Sequence, residues 1–457
     1  MIRAIFIILL CLAFSPAYAQ EPGGEAPRDF VLPAAVDADA FIDAVRSAVD
    51  LNPAVKSAIA QRTEAKQTRR EAKAALLPTV GVGVSGQREF SSSFGDEADI
   101  LVERSRPRER VDARLYGQQL LFDSGATFAR MDAADVRMDE AEANTEVVAN
   151  QITLDAISAY LEVVQFRLLR RVGEELVARH DDILGQVTER YDNGVGSIQD
   201  VARVAARKAT AQAQLASFDR GLAGAISRYQ QLFQVEPGVF ERPQLVAGAD
   251  SVEEESLSQA LTANPALARA TANARAAQLD QKAIERGNLP SVSVAVDATK
   301  FGVFENNDNY DVRGRLVMDY DLFAGGARKA RERQAIQRTR QAQFQEDQAR
   351  LEVERDVRIA IRELGVLNRQ LETLQFALKA NRDARDAFVQ QFAVARGTLL
   401  DLLQAEQDYF SAAITLLDGR LERDLAHYRV MAQTGELLPA FGVSFSFASA
   451  QEIWGRN

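Results

Sequence analysis

Leu77-Pro78-Thr79-Val80-Gly81-Val82-Gly83-Val84-Ser85 sets valines against glycine and serine in alternation, and Leu289-Pro290-Ser291-Val292-Ser293-Val294-Ala295-Val296-Asp297 does so again. Alternation at period two puts the valines on one face of a strand and the small or polar residues on the other. Val111, Ala113 and Leu115 likewise alternate with Asp112 and Arg114, and Val312, Gly314 and Leu316 with Arg313 and Arg315. Each half of the chain thus carries two strands joined by a loop. Their length of about ten residues matches a tilted membrane-spanning strand, about 9–11. Strands of a membrane barrel turn apolar faces to lipid and polar faces to the lumen. A single half-buried soluble hairpin would alternate in the same way. Four such segments, all flanked by long helical sequence, favour the barrel. Four strands cannot close one, because the smallest barrels need about eight. The chain must therefore associate for its strands to lose their edges.

The strands belong to a duplication. The interval from Asn52-Pro53 to Asn264-Pro265 equals that from Leu77-Pro78 to Leu289-Pro290. A slightly shorter interval separates Leu121-Phe122-Asp123-Ser124-Gly125 from Leu322-Phe323-Ala324-Gly325-Gly326, and Tyr191, Gly196, Ser197 and Asp200 from Phe392, Gly397, Thr398 and Asp401. The longer loop of the first hairpin accounts for the change. So long a period is domain-sized, far beyond a solenoid repeat. It predicts a first repeat over 20–250 with a hairpin at about 79–122, a second over 251–440 with a hairpin at about 291–323, and a tail over 441–457.

Proline marks the helices. None stands between Pro107 and Pro237 or between Pro290 and Pro439. At ordinary usage of about 5%, each stretch should hold roughly six or seven. A helix interior excludes proline at a cost of about 3 kcal/mol, and both stretches are rich in the helix formers Ala, Leu, Arg, Glu and Gln. The reading is a helix over Thr127–Arg190, a polar turn at Asp192-Asn193-Gly194-Val195-Gly196 and a helix over Ile198–Phe233. In the second half it is a helix over Ala327–Val394, a tip at Arg396-Gly397-Thr398 and a helix over Leu399–Glu436. Ile157, Tyr160, Leu161, Val164 and Leu168 fall at three-and-four spacing and mark one buried stripe. Shorter helices are expected over Ala38–Leu76 and Leu257–Asn288. Helices of this length must pack along one another.

The ends and composition bound the function. Residues 1–19 read as a secretory signal, with Arg3, an apolar stretch Ile5–Phe14 and an Ala17-Tyr18-Ala19 cleavage site. The stretch is about ten residues, too short for a spanning helix of about 20. The only cysteine, Cys11, lies inside it, so the processed chain has no disulfide or thiolate chemistry. The net charge of −11 becomes one unit more negative without Arg3, which argues against nucleic acid as a partner. No later segment approaches 18 consecutive apolar residues, so no spanning helix is expected.

Several motifs carry no chemistry. Gly81-Val82-Gly83-Val84-Ser85-Gly86 matches G-x-G-x-x-G, yet no helix pattern opens after it. His180 and His427 stand alone in helical sequence, without H-E-x-x-H or a metal cluster. Glu352, Glu354 and Asp356 read as a solvated helix face. No cofactor, metal or catalytic set is read. Arg104, Arg106, Arg108 and Arg110 sit in the first hairpin loop, either solvated or against anionic lipid head groups.

Together these features resemble the TolC-like outer-membrane efflux protein family over nearly the whole processed chain. The resemblance is carried by the repeated Asn-Pro and Leu-Pro pairs, by Gln118-Gln119-Leu120-Leu121-Phe122-Asp123-Ser124-Gly125 with Asp321-Leu322-Phe323-Ala324-Gly325-Gly326, and by the tips Val195-Gly196-Ser197 and Arg396-Gly397-Thr398. It implies a homotrimer in the outer membrane, with a twelve-stranded β-barrel on a long α-helical barrel through the periplasm. It implies a mixed equatorial belt, placed at about Val235–Asp250 and the tail. It implies a passive conduit for efflux or type I secretion, opened by a periplasmic adaptor and powered by an inner-membrane pump of ABC or proton-driven type. The tips Gly194, Val195, Gly196, Ser197, Gly397 and Thr398 would dock the adaptor.

The family's periplasmic constriction, held by aspartates and by Tyr–Arg–Asp links, maps onto Phe392–Gln404. Asp401 takes the first aspartate position and Gln404 replaces the second. Phe392 replaces the tyrosine, and Arg396 stands one residue before the arginine position, which Gly397 occupies. The implied acidic ring has three carboxylates rather than six, and the expectation is looser closure. The competing reading is a periplasmic coiled-coil adaptor or scaffold without a barrel. It leaves the four alternating segments unexplained. A secreted enzyme lacks any nucleophile–base set.

Overall fold

Long helices follow the proline-free stretches. In the computed structural model, which describes residues 35–88, 90, 109–238, 241–248, 253–305, 308–394 and 396–445, α1 (Asp39–Leu51) and α2 (Pro53–Ala74) lead into β1 (Thr79–Arg88) and β2 (Glu109–Phe122). Then come α3 (Ala126–Asp192) and α4 (Ile198–Phe233). The second half repeats the order as α5 (Glu253–Ala263), α6 (Pro265–Arg286), β3 (Ser291–Lys300), β4 (Tyr310–Asp319), α7 (Ala327–Ala393) and α8 (Leu399–Thr434), closed by α9 (Leu437–Ala440). The copies match in length: α3 and α7 have 67 residues each, α4 and α8 have 36, and α2 and α6 have 22. At ~1.5 Å per residue the longest helices reach roughly 100 Å. The expected signal segment with Cys11, Arg104, Arg106 and Arg108, and tail residues 446–457 lie outside the described residues.

The expectation of one helix over Ala38–Leu76 and one over Leu257–Asn288 is corrected. Each is two helices, broken at the Asn-Pro pair. Proline forces the preceding residue out of the helical region, and Asn52 and Asn264 are extended, with ψ of 128° and 121°. Each then caps the next helix, its side-chain oxygen accepting from Ala54 N at 2.8 Å and Ala266 N at 2.9 Å. Proline sits at the first helical position, where its missing N–H costs nothing.

The sheet is antiparallel with order β1-β2-β3-β4. Val80 pairs with Gly117 and Val84 with Ala113, so β1 and β2 share one apolar face. β2 runs 14 residues, longer than expected, and a register shift between Leu120 and Phe122 realigns its end with β3. Val80, Val82 and Val84 are about 70% exposed, and Val312, Leu316 and Met318 are also exposed. Exposed aromatics stand at both ends of this face, Phe122 and Phe323 beside the helices and Phe90, Phe304 and Tyr310 at the far rim. Ten residues at ~3.3 Å and a tilt of about 40° span about 25 Å, the height of an outer-membrane apolar band between aromatic girdles.

Two left-handed residues turn each second strand into its helix: Ser124 and Gly125 at φ 59° and 83°, and Gly325 and Gly326 at φ 58° and 83°. Such angles favour glycine. Asp123 adds a cap, its carboxylate accepting from Gly125 N at 3.1 Å and Thr127 N at 2.6 Å, and Ala324 has no counterpart group. Near the sheet the helices lie in the order α2, α3, α6, α7, the order of the strands to which they connect. Away from it, α3 pairs with α4 and α7 with α8, and α3 also packs on α8.

The main core lies between these pairs. Ile157, Tyr160, Leu161, Val164 and Leu168 are all buried, as their spacing predicts. Phe41 of α1 meets the rings of Tyr160, Tyr428 and Phe441 at 4.7, 6.1 and 5.6 Å. Segment 241–248 straps α8, with Arg242 Nε and Nη2 donating to Asp424 at 2.7 and 2.8 Å. Helix α3 contains one window of mean hydropathy 1.2, long and apolar enough to cross a membrane, but half of it is buried against its neighbours. Its Ala- and Val-rich stripe is part of the main core.

Candidate functional site

The α3–α4 tip is shaped by its glycines. Gly194 has φ +76°, and Val195 N donates back to Arg190 O at 3.0 Å. At Gly196 a Cβ would lie 2.8 Å from Tyr191 N, so a side chain would hold the reversal open. Ser197 starts α4 by accepting from Gln199 N at 3.1 Å. The α7–α8 tip repeats this geometry. Arg396 N and Gly397 N both donate to Gln391 O, at 2.9 and 3.1 Å, and a Cβ at Gly397 would approach Phe392 N at 3.2 Å. Thr398 accepts from Asp401 N at 3.2 Å and donates its hydroxyl proton to Asp401 Oδ2 at 2.6 Å. Thr398 thus caps α8, and the Asp401 carboxylate in turn holds its hydroxyl in place. Apolar side chains project from both tips: Val195 and Ile198 on one, Val394 and Leu400 on the other, all more than half exposed.

The constriction residues do not gather into one group. Asp401 and Gln404 share an exposed face of α8 with Asp408, and Gln404 Nε2 donates to Asp408 Oδ1 at 2.8 Å. Arg396 is exposed at the turn. Phe392 points the other way. It is 5% exposed and packs with Ile183, Val187, Val204, Leu399, Leu402 and Leu403 in a small core of the tip. Arg190, at the end of α3, crosses to it. Its Nη2 donates to Phe392 O at 3.1 Å and its guanidinium lies 4.3 Å from the centre of the Phe392 ring. Sequence reasoning missed Arg190 and Asp408. Asp408 falls two turns beyond Asp401 on one helix face, a legible spacing. Arg190 has no local signal pointing to Phe392.

Other polar contacts tie α3 to α8. Gln165 Nε2 donates to Asp418 Oδ1 at 2.6 Å, and Asn150 Nδ2 to Ala432 O at 3.1 Å. Burial holds the Asp418 carboxyl above the usual carboxylate range, against the pull of Gln165. The histidines are structural. His427 Nε2 bonds Val246 O at 2.8 Å, and His180 is 1% exposed. Burial first, and Arg207 second, depress the His180 pKa below the usual histidine range. Gly81–Gly86 lies within β1, without the helix a dinucleotide site needs. Among the described residues no His/Cys/Asp/Glu group could hold a metal ion. Arg110 is corrected: it belongs to β2 rather than to a free loop, donates to Asp112 at 3.0 Å and lies 5.4 Å from the Phe301 ring.

A duplicated chain whose membrane-height sheet continues strand by strand into helices of roughly 100 Å has the fold of an outer-membrane channel protein. The model of the outer membrane efflux protein family matches residues 44–228 and 256–447, one segment in each half of the chain, and the chain belongs to that family. It is a transport conduit of the outer membrane, not an enzyme. Among relatives, outer membrane efflux protein BepC of Brucella suis is 24% identical over 70% of this chain and 71% of its own length. Protein CyaE of Bordetella pertussis is 26% identical over 88% and 85%. Among solved structures, VceC of Vibrio cholerae superposes with TM-score 0.75 at 17% identity, covering 87% of this chain and 96% of that one. The CmeC channel of Campylobacter jejuni does so with TM-score 0.76 at 13% identity, covering 94% of each. The reading as a soluble periplasmic adaptor is not favoured.

Proposed function

We propose that three copies close into the conduit, with a twelve-stranded barrel above a twelve-helix barrel. The observation that carries this is the open edge. β1 and β4 each have one neighbour, and α2 and α7 end the helical arc on the same two sides. A sheet edge offers unpaired N–H and C=O groups, and joining two unlike edges head to tail generates a ring. Phe344, Leu351, Ile359, Val366 and Phe376 form an exposed apolar line along α7, all more than half exposed; α2 of the next copy, 22 residues long, would cover the part nearest the sheet, at Phe344 and Leu351.

The tips then form the periplasmic mouth. The face of Asp401, Gln404 and Asp408 lines the aperture, with Arg396 at its rim. Asp408 supplies a second acidic ring two turns above Asp401, where Gln404 cannot. The Arg190–Phe392 contact fastens the first helix pair to the second, so the missing tyrosine hydroxyl is offset by a different link. Gly194, Val195, Gly196, Ser197, Gly397 and Thr398, with the apolar side chains beside them, dock a periplasmic adaptor that couples the channel to an inner-membrane pump of ABC or proton-driven type. Cysteines placed singly at Val195 and Val394 test this by crosslinking in cells. Adducts with a periplasmic adaptor are expected from both positions. Crosslinks to no protein but the channel itself would refute the docking.

A further inference from the structure

The polar face of the sheet carries a charge cluster. Asp297, midway along β3, accepts from Arg114 Nε of β2 at 2.9 Å and from Arg315 Nη2 of β4 at 2.5 Å. The carboxylate is 13% exposed, while the two guanidiniums remain 54% and 56% exposed. Each guanidinium has five N–H donors, and one carboxylate serves both, so several donors face the lumen. Arg114 also lies 5.7 Å from the centre of the Tyr116 ring. Tyr116 is paired with Gly81, where a Cβ would lie 2.5 Å from the ring. The glycine makes room for the ring against β1.

The cluster has one surplus positive charge per chain. The adjacent Arg313–Asp311 and Arg110–Asp112 pairs are neutral. Asp319 is on the same face four residues from Arg315, about 14 Å at ~3.4 Å per residue. That exceeds the Debye length of about 8–10 Å at physiological salt.

We infer that the barrel lumen carries an anion-recognising belt at mid-height, one Arg114–Asp297–Arg315 cluster per chain, which favours cargo bearing carboxylate, sulfate or phosphate groups. It rests on the proposed closure of the barrel. Three clusters facing one lumen with low-dielectric walls would focus their field and raise the local anion concentration.

The test is the reversal potential of purified channels in planar bilayers under a KCl gradient, with sodium tripolyphosphate as a blocking probe. Arg114→Gln with Arg315→Gln inverts the sign of the cluster and should move the potassium-to-chloride permeability ratio toward cations by at least about twofold. It should also abolish block by tripolyphosphate added from the barrel side. Asp297→Asn should shift the ratio the opposite way, and Arg114→Lys with Arg315→Lys should leave it in place. Channels of normal conductance with unmoved potentials in both the Gln pair and Asp297→Asn would overturn the belt alone. A parent chain that forms no pore would overturn the barrel, and the belt with it.

Discussion

Replacing Arg190 by alanine should loosen the periplasmic tip. Two contacts are lost. The charged donor to Phe392 O, at 3.1 Å, is of a kind worth about 1.5–3 kcal/mol. The guanidinium over the ring, at 4.3 Å, adds about 0.5–1 kcal/mol for a partly exposed pair. Arg190 is only half-buried, so the low end applies, about 2 kcal/mol per chain. At about 1.4 kcal/mol per decade this is about a 30-fold change in the tip equilibrium of each chain. The assay is single-channel recording in planar bilayers. Arg190→Ala should raise the mean conductance or the fraction of time in the larger state. Arg190→Lys should fall between, because ammonium keeps the charge but loses the planar stacking. Phe392→Leu should have a smaller effect than Arg190→Ala, since it keeps the backbone acceptor. Recordings of Arg190→Ala indistinguishable from the parent, at equal yield of assembled protein, would refute a role for the Arg190–Phe392 contact in holding the tip.

Gln404→Asp should lower the open-channel conductance, and unchanged conductance would count against the assignment of the Asp401–Gln404 face to the aperture. Gly221→Ala in α4 places a Cβ 2.2 Å from the Phe166 ring of α3; such overpacking should destabilise the pair by about 1–3 kcal/mol in thermal or denaturant unfolding, and an unshifted midpoint would contradict this packing. His180 is neutral when buried and its folded pKa lies below 6.5, so the unfolded chain binds the extra proton as pH falls through that window, and stability is lost with acidification. His180→Gln should therefore narrow the drop in melting temperature between pH 7 and pH 5, and an identical drop in both proteins would refute the assignment.

How far the sequence can be read depends on where each signal sits. The limits of α4, Ile198–Phe233, agree residue for residue, because Ser197 is a cap and the helix ends before a change in composition. The alternating valines gave the strands and their faces. The breaks at Asn52-Pro53 and Asn264-Pro265 carry a helix-breaking signal as well as marking the repeat. Their meaning follows from proline at a first helical position behind an asparagine cap, a local rule. Thr398 and Asp401 were equally local, and the structure shows Asp401 serving the cap of α8 as well as facing solvent. Phe392 and Arg190 were not legible. They lie in different repeats, and only the packing of α3 on α8 brings them together. The length of β2 escaped because its realignment beyond Leu120 is set by pairing with β3.

In the proposed conduit the open edges of this chain are closed by copies of itself. Native mass spectrometry of the protein extracted from outer membranes in mild detergent measures this directly. A single species containing three chains is predicted. A monomer or a dimer as the sole species would contradict closure by three copies.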